Sequence, residues 1–143
     1  MRRWEATHPR PAVGYVDGKP IALQVVELDG KPVEVTTAAA LGRMREAAAR
    51  DGVQLENVGG FRTMEEQSRL RECYVTCSCN NCNYAEAPGH SQHQSGRALD
   101  LNARAPGVFA WLSAHAAEHG FYNTVPGEPW HWEFWATGAG QIV

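Results

Sequence analysis

The chain is 143 residues long, with 43% hydrophobic residues, 20% charged residues and a formal net charge of −3. These values are typical of one ordinary globular domain, so we expect residues 1–143 to fold as a single domain. The small negative charge argues against nucleic acids or anionic membranes as partners bound through bulk charge. No apolar run reaches the roughly 18 residues that a membrane-spanning helix needs, so the sequence predicts no membrane span.

Residues 1–35 alternate apolar and polar side chains around two Asp-Gly pairs, at 17–18 and 29–30. Asp-Gly pairs favour the tight turns that connect neighbouring antiparallel strands. This N-terminal segment is therefore predicted to form short strands joined by hairpins.

The rest of the chain alternates helical and extended patterns. Gly52 and Gly120 are placed to end helices, and Thr63 with Glu66 forms a capping box at the start of another helix. The predicted elements are a helix from Thr36 or Thr37 to Gly52, a strand at 53–58, a helix from Thr63 to about Glu72, a strand at 97–102, a helix at 106–119 and strands within 121–135. This pattern indicates an α+β fold in which an antiparallel sheet is flanked by about three helices.

All four cysteines fall in residues 73–92, a segment without helical or strand periodicity that we interpret as a loop insertion. Their crowding favours two local disulfides, while a four-thiolate metal site and free thiols remain open alternatives. Four cysteines allow three pairings, so the connectivity stays open. The cysteines are Cys73, Cys77, Cys79 and Cys82.

The cysteines also bear on the compartment. Because disulfides form in oxidising surroundings, we expect a secreted or periplasmic protein. The first residues do not lead into an apolar signal segment, so no signal peptide is visible in this chain. We further expect the disulfides to hold the loop that leads to Ser91 and His93.

His93, Asp100 and His131 are the candidate ligands of a metal ion. His93 and Asp100 are separated by a span that measures about 10.5 Å on a helix and more on a straight strand. Both can bind one ion only if the chain turns between them, and Gly96 permits such a turn. Two imidazoles and one carboxylate leave a fourth position open, which is the pattern of a catalytic zinc site. Glu128, just before His131 in the chain, is then placed to act as the general base toward an attacking water.

The segments around these residues match a known set of motifs. Residues 91–100 read S-Q-H-Q-S-G-R-A-L-D, and residues 128–131 read E-P-W-H. They resemble the S-x-H-x-x-G-x-A-x-D and E-x-W-H signatures of the VanY/VanX-type D-alanyl-D-alanine carboxypeptidases and dipeptidases, zinc peptidases with a Hedgehog-like fold. The G-F-R-T stretch at 60–63, followed by Gln67, is similar to the family's G-[YF]-R-[ST]-x-x-x-Q stretch. The Glu-Pro-Trp-His form looks more like the VanY carboxypeptidase branch.

The resemblance implies one catalytic zinc ion at the three ligands, and it assigns roles to three further residues. Arg62 is expected to hold the negative charge that develops on the substrate carbonyl oxygen, Ser91 to line the substrate pocket and Gln67 to take part in substrate binding. The residues themselves allow other roles. Arg62 could pair with Glu65 or Glu66, Ser91 could cap a turn, and Gln67 could bond to neighbouring backbone.

The resemblance also implies a substrate, a bacterial peptidoglycan peptide ending in D-Ala-D-Ala. Carboxypeptidase action is favoured over an endopeptidase action of the L-alanyl-D-glutamate type. A catalytically silent zinc-binding module of the same fold, as in Hedgehog-type signalling domains, is the remaining alternative, and the intact Glu128 argues against it. We expect a monomer. Glu133 is predicted to be either an acid supporting a ligand or a surface residue.

Overall fold

The computed structural model describes residues 8–136, so residues 1–7 of the predicted N-terminal strands and the end of the chain lie outside it. Three strands form an antiparallel sheet in the order β1-β2-β3. The two connecting turns are the predicted Asp-Gly pairs, whose residues all have positive φ, as tight hairpin turns of the primed type require. The strands are β1 (Arg10–Val16), β2 (Lys19–Leu28) and β3 (Lys31–Glu34).

A second antiparallel sheet follows, with the strand order β4-β5-β7-β6. The predicted α+β class is confirmed, and its antiparallel strands divide into two sheets in place of one. The register places Asp100 of β5 directly opposite His131 of β7. The strands are β4 (Asn57–Gly59), β5 (Ala98–Leu101), β6 (Phe121–Tyr122) and β7 (His131–Phe134).

Residues 8–136 contain three helices: α1 (Val35–Arg50), α2 (Met64–Thr76) and α3 (Val108–His115), the last followed by a short 3₁₀ turn at Ala116–His119. Helix α1 leads from the first sheet to the second, whereas α2 and α3 connect strands of the second sheet. The prediction that Thr36 or Thr37 caps α1 is wrong, because the Glu34 carboxylate accepts the Thr37 backbone N–H at 3.0 Å and takes the N-cap position. Gly52, with φ of 78°, follows the last turn as predicted.

The capping box of α2 is confirmed, since the Thr63 hydroxyl accepts from the Glu66 N–H at 3.1 Å and the Glu66 carboxylate accepts from the Thr63 N–H at 2.9 Å. The helix runs to Thr76, beyond the predicted end at about Glu72, and it stops where Cys77 adopts a left-handed conformation. The predicted loop therefore begins later than expected, and it contains a short 3₁₀ turn at Asn80–Cys82.

One hydrophobic core joins both sheets to the helices. Leu41 and Met44 of α1 are fully buried and belong to the same cluster as Val33 of β3, Leu99 of β5 and Leu112 of α3. Truncating a buried leucine or methionine to alanine costs about 2–5 kcal/mol, so these contacts fix the sheets relative to each other. Among residues 8–136, no helix has the length and apolar character needed to cross a membrane.

Candidate metal centre

His93, Asp100 and His131 meet at one point, where their ligand atoms all lie within 4.8 Å of one another. His93 Nε2 lies 3.4 Å from Asp100 Oδ1, and His131 Nδ1 lies 3.9 Å from the same oxygen. The strand pairing of β5 with β7 brings Asp100 and His131 together. Both histidine side chains are less than a tenth exposed, so the cluster is shielded from bulk water.

A tight turn after Ser91 brings His93 next to Asp100 and His131, which face each other on strands β5 and β7. The Ser91 carbonyl accepts the Gln94 N–H at 2.9 Å, and the Ser91 hydroxyl accepts the His93 N–H at 3.1 Å. Gly96 has φ of 87°, in the left-handed region, which is the turn that its position predicted. Its carbonyl accepts the Thr37 hydroxyl at 2.8 Å, so α1 helps to fix the turn.

Each imidazole is oriented by a hydrogen bond at the nitrogen that faces away from the cluster. His93 Nδ1 lies 2.8 Å from the Gly60 carbonyl oxygen, and His131 Nε2 lies 2.8 Å from Glu133 Oε2. Both acceptors favour an N–H at that position, so in the neutral imidazole the nitrogen that faces the cluster, His93 Nε2 or His131 Nδ1, carries the lone pair. Such partners fix the orientation and tautomer of metal-binding histidines in proteins.

The Asp100 carboxylate is ready to bind a cation. Its Oδ1 is buried and has no hydrogen-bond partner among the described residues, while Oδ2 lies 3.5 Å from Arg62 Nη2. Burial alone would raise the pKa of Asp100, but the proximity of His93 and the charge of Arg62 outweigh burial and hold that pKa below its ordinary value. Burial likewise lowers the pKa of His93, which favours the neutral imidazole. Two imidazole nitrogens and one carboxylate oxygen are a donor set that fits zinc.

Glu128 stands beside the cluster, with Oε1 3.9 Å from His131 Nδ1. The turn that holds it is fixed by the His131 N–H donating to the Glu128 carbonyl at 3.1 Å and by the Asn123 side-chain amide donating to that carbonyl at 2.8 Å. Burial raises the pKa of Glu128 above its ordinary value, although His131 and Arg62 act in the opposite direction. A raised pKa suits a carboxylate that accepts a proton near neutral pH.

The cluster opens into a cavity of about 210 Å³ whose lining includes Arg62, Ser91 and Glu128. Arg62 lies between the cluster and α2, with Nη1 donating to Gln67 Oε1 at 3.3 Å. Burial lowers the pKa of Arg62, while the carboxylates of Asp100 and Glu128 act to raise it. A hydrogen-bond donor thus faces the same cavity as the three ligands and the carboxylate, an arrangement suited to hydrolysis of a carbonyl compound.

The family model described as VanY, D-alanyl-D-alanine carboxypeptidase, matches residues 30–137, which is most of the chain. The chain belongs to the VanY family. The match covers all three sequence motifs and begins after the first two strands.

The chain is also similar to individual proteins and solved structures. The chain is 27% identical to a D-alanyl-D-alanine carboxypeptidase of Enterococcus faecalis, with 74% of this chain and 49% of the relative covered. The chain spans about half the length of the curated relatives it matches. Among solved structures, VanYB in complex with D-alanine-D-alanine superposes with a TM-score of 0.69 at 24% identity, covering 84% of this chain and 83% of that one. A zinc complex of a VanY D,D-pentapeptidase variant gives 0.66 at 24% identity and 78% of each chain. At this identity the superpositions show a shared fold.

The resemblance also assigned roles to Arg62, Ser91 and Gln67, and the structure places these three residues in different surroundings. Ser91 lines the cavity and also caps the turn before His93, so the two roles weighed for it are compatible. Gln67 departs from the expected contact with substrate. It is fully buried, and its amide is used within the protein, accepting from Arg62 and donating to the Glu86 carbonyl at 2.9 Å. Gln67 therefore helps to hold the Arg62 guanidinium in position through this hydrogen bond. The structure shows Arg62 in an ion pair with Asp100, whereas the sequence had offered Glu65 or Glu66 at the start of α2 as its partner.

Glu133 is a residue of the candidate site whose position the sequence left undecided. It is buried, and its two carboxylate oxygens accept from His131 Nε2 and from Trp135 Nε1, the latter at 2.9 Å. Burial would raise the pKa of Glu133, but these hydrogen bonds outweigh it and keep that pKa below its ordinary value. The sequence did contain a signal that could have placed Glu133 beside His131. The two residues are two apart on β7, and residues with that spacing in a strand share one face of the sheet.

The cysteines form two disulfides, which confirms the favoured alternative and settles the pairing. Cys73 bonds to Cys79 and Cys77 bonds to Cys82, with Cα–Cα distances of 4.8 and 4.5 Å. Both distances lie in the range that disulfides require. A four-thiolate metal site is therefore not formed.

Proposed function

We propose that this chain is a zinc-dependent D,D-carboxypeptidase that removes the terminal D-alanine from peptidoglycan peptides. The observation that carries the proposal is the meeting of His93, Asp100 and His131, with Glu128 and Arg62 facing the same cavity. Membership of the VanY family and the D-alanyl-D-alanine carboxypeptidase of Enterococcus faecalis support the choice of substrate.

His93 Nε2, Asp100 Oδ1 and His131 Nδ1 would hold one zinc ion and leave a coordination position open for a small molecule. When bound, zinc supplies Lewis acidity that polarises a carbonyl group and activates water. Zinc is preferred to magnesium or calcium because two of the three donors are imidazole nitrogens, whereas those ions prefer oxygen.

The protein's own side chains complete the reaction. The Glu128 carboxylate accepts a proton from the water that adds to the peptide carbonyl carbon. As the carbon–nitrogen bond breaks, Glu128 returns the proton to the departing amine of D-alanine. The Arg62 guanidinium donates to the carbonyl oxygen, where negative charge develops, and its contacts with Asp100 and Gln67 hold it in place.

The proposed compartment is outside the cytoplasm, secreted or periplasmic. The two disulfides support it, because such bonds persist in oxidising surroundings. Peptidoglycan, the proposed substrate source, lies in the same space.

Digestion of purified muropeptides by the zinc-loaded protein, followed by mass spectrometry, tests the function. We expect pentapeptides to lose one D-alanine and to yield tetrapeptides. The matched controls are Glu128→Ala and the protein treated with a chelator, and both should leave the pentapeptides intact. Cleavage between L-alanine and D-glutamate, with the terminal D-alanine retained, would replace the carboxypeptidase proposal by an endopeptidase.

A further inference from the structure

One wall of the cavity comes from the cysteine-rich insertion, outside the family's motifs. Asn80, Asn83 and Tyr84 line the same cavity as His93 and Glu128. The insertion therefore forms part of the cavity into which the candidate metal centre opens. Its side chains are then available for contact with a bound peptide.

The wall is fastened to α2 by covalent and polar bonds. The two disulfides each join a cysteine on or just after α2 to the insertion. Further along, Arg71 Nη1 of α2 donates to the Ala85 carbonyl at 2.9 Å. The Tyr84 ring also packs edge-on against the Tyr74 ring of α2, with centroids 5.0 Å apart. A wall held at so many points presents its side chains in one arrangement.

The backbone of the insertion includes several left-handed residues, and a disulfide joins two of them. Cys77, Asn80, Asn81 and Cys82 all have φ near 55°, in the left-handed region that residues other than glycine rarely occupy. Asparagine tolerates this conformation, but cysteine has no local hydrogen bond that favours it. The bond between Cys77 and Cys82 links the two cysteines concerned and closes the turn.

The groups that the wall offers suit a peptide. Tyr84 is an aromatic residue that lines the cavity and is 49% exposed. The amides of Asn80 and Asn83 can both donate to and accept from a peptide backbone. An aromatic surface with a few polar groups is the usual composition of a ligand-binding cleft.

We propose that Tyr84, with Asn80 and Asn83, is a specificity-determining wall that binds the substrate peptide on the amino side of the cleaved bond. The proposal rests on the proposed function, because a carboxypeptidase leaves a single residue on the carboxyl side. A wall of several residues then meets the longer, amino-side part of the peptide. The wall makes the protein select pentapeptides over the free dipeptide D-Ala-D-Ala.

Steady-state kinetics of Tyr84→Ala tests the wall. For a pentapeptide ending in D-Ala-D-Ala, we expect KM to rise roughly five- to tenfold, the usual effect of losing one aromatic contact. We expect kcat to stay within about twofold, because Tyr84 does not touch the reacting atoms. The inhibition constant of the free dipeptide should not change. Tyr84→Phe, which keeps the ring, should restore the pentapeptide KM, and Val75→Ala, an exposed position on α2, is the matched control.

The double variant Cys77→Ser/Cys82→Ser gives an independent measurement. It should raise the pentapeptide KM as Tyr84→Ala does while still binding one zinc ion per chain. An unchanged pentapeptide KM in Tyr84→Ala, with an active wild type, overturns the wall alone. If the zinc-loaded wild type cleaves no pentapeptide, the proposed function fails and the wall fails with it.

Discussion

The two histidines of the candidate metal centre point opposite ring nitrogens at the cluster, and their outer partners differ. The outer nitrogen of His93 donates to a backbone carbonyl, whereas that of His131 donates to the Glu133 carboxylate. A charged acceptor polarises an imidazole more strongly than a neutral one, so Glu133 is expected to strengthen His131 as a metal ligand. Glu133 in turn is held by Trp135, which keeps the carboxylate from rotating away.

Glu133→Gln is therefore expected to weaken zinc binding about 10- to 100-fold, because the amide loses the negative charge and can present an N–H to His131. The measurement is zinc affinity by competition with a chromogenic chelator. Glu118→Gln is the control, since Glu118 also has a carboxylate oxygen close to a histidine, 3.4 Å from His115 Nδ1, but does not line the cavity. A zinc affinity within twofold of the wild type in Glu133→Gln would show that Glu133 does not support the ligand.

The variants Glu128→Ala and His131→Ala should distinguish the role of the general base from that of a metal ligand. The first removes the proton acceptor, so activity should fall by about 10²–10⁴-fold while one zinc ion per chain stays bound. The second removes a ligand, so both zinc and activity should be lost. Zinc content by atomic absorption and pentapeptide hydrolysis give the two readouts. Stoichiometric zinc in purified His131→Ala would contradict the ligand assignment.

The meeting of the three candidate ligands could be predicted from the sequence because their chemistry and motif spacing are local properties. The positions of Gln67 and Glu133 could not, since burial depends on which elements pack together. Gln67 lies behind Arg62 only because the Glu86 carbonyl comes back onto α2. Glu133 faces His131 through strand alternation, but its burial depends on Trp135 and the surrounding core.

At the scale of elements, the turn between His93 and β5 decides whether the ligands meet. An ideal Cβ at Gly96 would lie 2.8 Å from the Glu34 Cβ, so the turn is packed against the start of α1. The positive φ of Gly96 and this close approach both call for glycine. The turn that positions His93 is therefore fixed both by the backbone conformation of Gly96 and by its packing against Glu34.

Gly96→Ala should lower both stability and zinc affinity, because the alanine methyl group must displace the turn from α1. Gly107→Ala is a matched control: Gly107 also has a positive φ, 81° against 87°, but nothing lies within 4 Å of its ideal Cβ. The left-handed strain alone costs about 1–2 kcal/mol, so both variants should lose that much stability in urea unfolding. Only Gly96→Ala should lose more and bind zinc more weakly. Equal losses in the two variants would mean that the turn tolerates the methyl group.

Element boundaries were predictable where a local signal decides them. The capping box of α2 depends on Thr63 and Glu66 alone, and both hydrogen bonds form. The start of α1 was misplaced because the longer side chain of Glu34 reaches the Thr37 N–H from outside the expected cap. The predicted strand at 53–58 overlaps β4 only at residues 57 and 58, because the pairing with β5 is made by Asn57 and Gly59 at the end of the predicted segment.

At the scale of the whole molecule, the insertion and the metal ligands are fixed separately. The sequence suggested that the disulfides hold the loop leading to His93. In the structure His93 is held by the Gly60 carbonyl and by Ser91, whereas the disulfides fasten the cavity wall to α2. Reduction is therefore expected to alter substrate binding while leaving the ligand geometry in place.

The ligands come from three separate parts of the fold: a turn and two strands of one sheet. A zinc ion that binds all three in the folded chain and not in the unfolded chain must stabilise the fold, by about 2.7 kcal/mol at a free concentration 100 times its Kd. For a domain of this length, that corresponds to a rise of roughly 8–13 °C in Tm. The measurement is differential scanning calorimetry of the chelator-treated protein with and without zinc, at constant pH and with the disulfides intact. His131→Ala in the same two buffers is the control, and its Tm should not respond to zinc. An equal rise in His131→Ala would mean that zinc stabilises the chain at some other place, and no rise in the wild type would contradict a zinc site in this cluster.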